Sequence, residues 1–137
     1  MAVELGQEVL VPLDVEAAIV GWLRSLEYNA ATRVPANRAP GMIRVSRVGG
    51  EPISGRVRDQ PRILVEVWGA NQGDSFDLAQ RLFGVFEYAG KYQKPDGLRV
   101  SKCVPSPPVT FEDYDAPDLY RHQFTVEMLT QMGRLTV

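Results

Sequence analysis

The chain of 137 residues contains one histidine, His122, and one cysteine, Cys103. A thiol nucleophile needs a base beside it, and a single histidine is all the chain offers for that role. Cys103 falls in an alternating run, where a small, half-buried hydrophobe is its ordinary role. His122 sits in the middle of another such run and reads as a structural histidine with its hydrogen bonds satisfied. One cysteine cannot close an internal disulfide. Structural zinc takes four Cys or His ligands at set spacings, which two such residues cannot supply. Asp113, Asp115 and Asp118 put oxygens in a short span but lack the glycine and the closing glutamate of a calcium loop. They are expected to form a solvated turn. Gly49-Gly50 is not followed by the lysine and hydroxyl residue of a phosphate-binding loop, and no G-x-S-x-G occurs. No catalytic residue, no metal or cofactor site and no enzymatic activity is therefore expected.

The remaining chemistry is charge. Arg33, Arg38, Arg44, Arg47, Arg56, Arg58 and Arg62 bias the first half of the chain positive, with Glu51 and Asp59 the only acids among them. Such a stretch could release counterions from phosphate. It lacks the interleaved aromatics of a single-strand platform and a basic recognition helix, and the formal net charge of the whole chain is −2. Arginine is also the cation enriched at protein interfaces, where its fork pairs carboxylates. A solvated arm or a salt-bridging subunit contact is the favoured reading. A small nucleic-acid-binding α/β domain using this arm is the alternative from another class.

These residues hang on elements that periodicity outlines. Val15, Ala18, Ile19, Trp22, Leu23 and Leu26 make one apolar stripe of a helix over 14–26, with Asp14 as its cap. Residues 30–41 carry Pro35 and Pro40 and are poorly patterned, with room for a short strand at 31–34. Residues 42–48 and 61–68 alternate as strands. Leu64 and Trp68 make the second face of the latter partly apolar, as in a strand covered on both sides. Between them, 49–60 forms a polar Gly- and Arg-rich arm, longer than a tight hairpin turn. Its low apolar content predicts that the rest would fold without it. A helix over 74–89 buries Leu78, Ala79, Leu82, Val85, Phe86 and Ala89. Asp74 or Ser75 is its expected cap, Gly84 is available for close packing on the sheet, and Gly90 its expected left-handed end. Residues 98–104 read as a strand interrupted by Pro105, Pro107 and Pro108, with pairing resumed at 109–111. Residues 119–132 are the longest alternating strand. Its Phe124, Val126 and Met128 face the core, and it is expected inside the sheet, paired with the second strand or its neighbour. The order is α-β-β-α-β-β. The expected fold is a single α+β domain over 1–137, with a mixed, mostly antiparallel sheet, two main helices on one face and a long β-hairpin arm at 49–60.

No basic segment leads into an apolar one near Met1, so no signal peptide is expected. No apolar run approaches the ~20 residues that span a bilayer. Synthesis in the cytoplasm and no membrane partner are the expectations.

In order and size the chain resembles the tail terminator family of long-tailed phages, whose members in phages of actinobacteria are often labelled minor tail or tail-completion proteins. The resemblance runs from about Val15 to Met132. It is carried by the opening amphipathic helix, the strand IRVSRVGG, the arm ending in RDQPRILVEVWGA, the helix FDLAQRLFGVFEYAG, the segment VPSPP and the closing strand DLYRHQFTVEML. It implies a virion structural protein at the neck-proximal end of the tail. Such a protein forms a hexameric ring that caps the tail tube, ends polymerisation of the tube protein and offers a surface to a neck or head-completion protein. DNA would pass through its lumen without sequence-specific binding. A neck or head-closure protein of the same virion is the neighbouring alternative. The arm would then carry the subunit or tube interface through Arg47, Gly49, Gly50, Glu51, Arg56, Arg58, Asp59 and Arg62.

Overall fold

The computed structural model describes residues 2–137. In chain order the elements are β1 (Glu8–Val11), α1 (Val15–Ser25), β2 (Asn29–Ala31), β3 (Met42–Ile53), β4 (Arg58–Gly69) and α2 (Gln72–Tyr92). A 3-10 turn (Asp96–Leu98) follows, then β5 (Lys102–Pro105), β6 (Val109–Thr110), β7 (Tyr120–Gln131) and β8 (Gly133–Thr136). The main sheet has the order β2-β3-β4-β7-β5, with β6 also paired to β7. Within it only β2 and β3 run parallel; the other pairs are antiparallel. The fold is α+β, as the alternating and 3.6-residue periods predict.

Two 12-residue strands, β4 and β7, form the middle of the sheet. Their register sets Ile63 against Val126 and Val65 against Phe124, while on the other side of β4 Val45 lies against Val65. Directly opposed residues share a face, so these side chains make one continuous apolar floor. Ile19 and Leu23 of α1 and Ala79, Leu82, Phe86 and Ala89 of α2 close over it and are buried. Phe124 meets Phe86 edge-on, with ring centroids 6.0 Å apart. Both helices cover the same face of the sheet.

Local chemistry sets the element ends. Asp14 accepts a hydrogen bond from the Ala17 amide at 3.1 Å and opens α1 as expected; Leu26 lies past its end and is 44% exposed. Helix α2 begins earlier than the apolar stripe suggests. Its cap is Asn71, whose Oδ1 accepts from the Asp74 amide at 2.8 Å, rather than Asp74 or Ser75. Gln72 and Gly73, neither of them apolar, hide that first turn from the pattern. The helix also runs past Gly90 to Tyr92, and Gln93 takes the left-handed end at φ 56°. Gly90 matters for packing instead. A Cβ there would lie 2.7 Å from the Cys103 carbonyl oxygen, so glycine lets α2 press onto β5. Gly84 meets nothing within 4 Å and serves no packing against the sheet.

Three further differences have plain causes. The strand expected over 98–104 starts only at Lys102. Residues 96–98 turn instead and Arg99 takes φ 44°, which buries Leu98 and Val100 under the helices. The short strand expected at 31–34 lies at Asn29–Ala31, before the prolines. Residues 8–11 and 133–136, without a strong pattern, pair with each other as a separate two-stranded ribbon.

Phe124→Ala should destabilise the protein by roughly 3–5 kcal/mol in denaturant titrations, the range for truncating a buried phenylalanine. A cost near that of a surface substitution would contradict the packing of β7.

Candidate functional site

The hairpin of β3 and β4 holds all the residues expected to form the interface. Its strands stay paired from Ile43↔Val67 to Ile53↔Arg58, so the segment 49–60 is ladder and not a loop. The register shifts between Arg47 and Gly49, where Val48 is the extra residue of a bulge. Gly50 follows at φ 91°, and a Cβ there would lie 2.0 Å from the Gln60 carbonyl oxygen. Only glycine fits that approach. The turn at the tip has Ser54, Gly55 and Arg56 at positive φ, and the Arg56 amide donates to the Ile53 carbonyl at 3.0 Å.

The eight expected interface residues divide by environment. Asp59 is fully buried. The Arg47 guanidinium grips it from across the ladder, with Nη2 donating to Oδ1 at 2.8 Å, while the Arg47 amide donates to Glu16 Oε1 at 2.6 Å. Arg47 Nε also donates to the Gly49 carbonyl at 3.1 Å. Asp59 raises the Arg47 pKa further through this hydrogen bond, against the opposing effect of burial. These two residues, with Gly49 and Gly50, therefore hold the hairpin together and tie it to α1. The other side of β4 also continues to pair with β7, through Asp59↔Thr130 and Arg58↔Gln131. Hence 49–60 is not a detachable arm. Its removal would strip the sheet of a buried carboxylate and of a strand edge that β7 uses. Glu51, Arg56, Arg58 and Arg62 face solvent. Arg62 has only a loose contact with Glu127 at 3.8 Å, both side chains more than half exposed. Arg58 reaches Ser101 Oγ at 3.4 Å. Gly50, Glu51, Gln60, Arg62 and Glu127 border a shallow depression of about 300 Å³ beside the bulge.

Much of the arginine bias proves to be internal. On the sheet face away from the helices, Arg44 forks onto Glu66 (Nε to Oε1 2.7 Å, Nη2 to Oε2 2.9 Å), and Arg121 donates to Oε2 from the other side at 3.1 Å. Arg38 pairs with Asp113 at 2.9 Å. Trp68, fully buried, donates its indole N–H to Asp113 Oδ2 at 2.8 Å, and Arg38 and Arg44 lie over its ring at 5.4 and 5.8 Å. Burial works against the charge on Asp113. The Trp68 bond, the Asp115 amide, Arg38 and Arg121 outweigh it and hold the carboxyl below the usual aspartate range. Asp113 is thus a buried anchor rather than part of a solvated turn, while Asp115 and Asp118 are exposed. Single-sequence patterning misses this cluster because its members come from five separate segments. Trp68 on the second face of a strand was its one visible sign.

His122 is buried, with Nδ1 2.7 Å from Ser75 Oγ and Nε2 3.2 Å from Thr110 Oγ1. Desolvation lowers its pKa. Ser75 is itself fully buried, so the contact fastens the start of α2 to β7 and β6. Burial likewise pushes the Cys103 thiol up to about 12, far from a reactive thiolate. Among the described residues, no three His, Cys, Asp or Glu side chains come together as metal ligands. No described helix is long and apolar enough to cross a membrane. No protein-family model and no curated protein matches the chain.

Two predictions test these anchors. Asp59→Ala should cost about 3 kcal/mol, the low end for breaking a buried pair because Arg47 keeps partial access to water. Replacing Arg47 and Asp59 together by apolar residues should recover most of that loss in thermal or denaturant unfolding. The pH dependence of Asp113 has a definite sign. Its folded pKa is depressed, so its contribution is complete above the ordinary aspartate value near 4 and is lost as pH falls through the lower folded value. Asp113→Asn should be less stable at neutral pH and should flatten the fall of stability with acid below about pH 4.

Proposed function

We propose that this chain is a structural subunit of a long-tailed phage virion: a tail terminator that assembles into a ring, hexameric in the family it resembles. The ring caps the tail tube, stops growth of the tube protein and offers its far side to the neck. DNA passes through the ring without base-specific contact. The observation that carries this reading is the long β3–β4 hairpin in the α-β-β-α-β-β order. It is braced at its base by Arg47 and Asp59 and presents Glu51, Arg56, Arg58 and Arg62 outward. A terminator must match the tube on one side and refuse further tube subunits on the other. A rigid hairpin with a charged, solvated edge suits that work, because little ordering cost remains when it docks.

The internal pairing of Arg38, Arg44 and Arg47 favours this reading over the nucleic-acid alternative. Guanidiniums committed to carboxylates have less to offer phosphate.

Electron microscopy of the purified protein, alone and mixed with tail tubes, tests the proposal. Closed rings, or added density at one end of the tube, are expected. A protein that stays monomeric and leaves both tube ends bare would overturn it. Charge reversal at Arg56 and Arg58 together should reduce tube capping while leaving the stability of the subunit within about 0.5 kcal/mol of wild type, as for exposed sites.

A further inference from the structure

Two apolar features of this chain face water, and they complement each other. The first is the ribbon of β1 and β8. Val9 lies directly opposite Leu135 on one face, while Glu8 bonds Arg134 at 2.7 Å. Leu10 is paired with Arg134. Val9 and Leu135 are exposed, Leu135 by 51%, while Leu10, also exposed, lies on the opposite face. Leu5 is tied to the same ribbon through its amide, which donates to the Val137 carbonyl at 2.9 Å, and is 72% exposed. The ribbon packs chiefly on itself. An isolated pair of strands is marginal in water, and an exposed apolar face of this kind marks a contact surface.

The second feature is a cleft of about 450 Å³ between the two helices. Trp22, Leu26 and Tyr28 line one wall and Gly84, Val85 and Tyr88 the other. Gly84 is the informative residue. Glycine inside a helix costs about 1 kcal/mol relative to alanine, yet nothing lies within 4 Å of where its Cβ would be. No packing within the subunit explains it. Backbone approaching from outside would, since a bare Cα lets another chain come close.

We propose that the ribbon of one copy docks in the helix cleft of the next. The ribbon joins the start of α1, whereas the cleft opens at that helix's other end, around Trp22 and Leu26. The two surfaces on one chain differ, so the contact is head-to-tail, the kind that closes into a ring when the rotation allows. Charge fits as well. Among the described residues, Arg81 on the cleft rim has no carboxylate within 4.0 Å, and Glu4 beside the ribbon has no cation within that distance. Docking brings these two signs together. The inference supplies the subunit contact of the ring proposed above and rests on that reading.

The test uses the full chain with a short bis-maleimide cross-linker. One preparation carries Leu135→Cys and the other Tyr88→Cys; the native Cys103 is buried and its thiol stays protonated. Covalent dimers are expected from the mixture and not from either preparation alone. A chain carrying both substitutions should give a ladder ending at the ring number. Gly84→Ala should raise the unfolding midpoint of the subunit while lowering cross-linking at least several-fold, a split that a merely structural glycine would not produce. Rings without mixed dimers, or cross-linking unchanged by Gly84→Ala, would overturn the ribbon–cleft contact and leave the ring standing. Mixed dimers without closed rings would keep the contact and remove the terminator reading. If no association occurs, alone or on tail tubes, both fall.

Discussion

Over residues 65–68 strand β4 is enclosed on both faces and both edges, and the rest of the molecule follows from that. On the helix side Ile63, Val65 and Val67 leave water entirely. On the other side Glu66 and Trp68 are equally enclosed although one is charged and the other carries a polar N–H. An unpaired carboxylate at such a position would be very costly. Arg44 and Arg121 neutralise Glu66 from the two flanking strands, and Asp113 takes the indole hydrogen bond with Arg38 beside it. The 32–41 and 112–119 connections are drawn over the sheet by this need. What fastens them is charge-assisted hydrogen bonding rather than apolar area.

The same logic repeats at the far end of the strand. Asp59 points to the helix side with no access to water, and Arg47 and the bulge at Gly49-Gly50 are arranged around it. The hairpin is thereby made continuous with the sheet. The tip, the bulge at Val48 and the outward row of Glu51, Arg56, Arg58 and Arg62 remain exposed. This projection, the two-stranded ribbon and the open helix cleft are the surfaces on which the proposed assembly rests. The buried His122–Ser75 contact and the buried Cys103 thiol are features of its interior.

Much of the architecture was legible because it is local. Periods of 3.6 and 2 residues marked α1, α2, β4 and β7, and the inward set Phe124, Val126 and Met128 matches the burial of β7. Boundaries failed where a polar residue begins or ends an element, as at Asn71 and Gln93. The arm failed as a separate unit for a related reason. Asp59 is polar because it pairs an ion in the interior, and Gly49-Gly50 because they follow a bulge, and composition alone cannot separate those roles from the solvation of Glu51, Arg56 and Arg58. Of the eight expected interface residues, Arg47, Gly49, Gly50 and Asp59 are consumed in building the hairpin, and four are left facing out.

The sequence by itself determined the α+β class, the order of the main elements, the apolar face of each and the centrality of the last long strand. These depend on periodicity within short windows, which a single chain displays directly. Only the tertiary structure decided which arginine meets which carboxylate, that Asp113 is buried under Trp68, and that residues 8–11 pair with 133–136. It alone decided that Gly84 lines an open cleft. Those outcomes depend on contacts between residues 12 to 128 positions apart, and no local pattern encodes which distant partner will arrive.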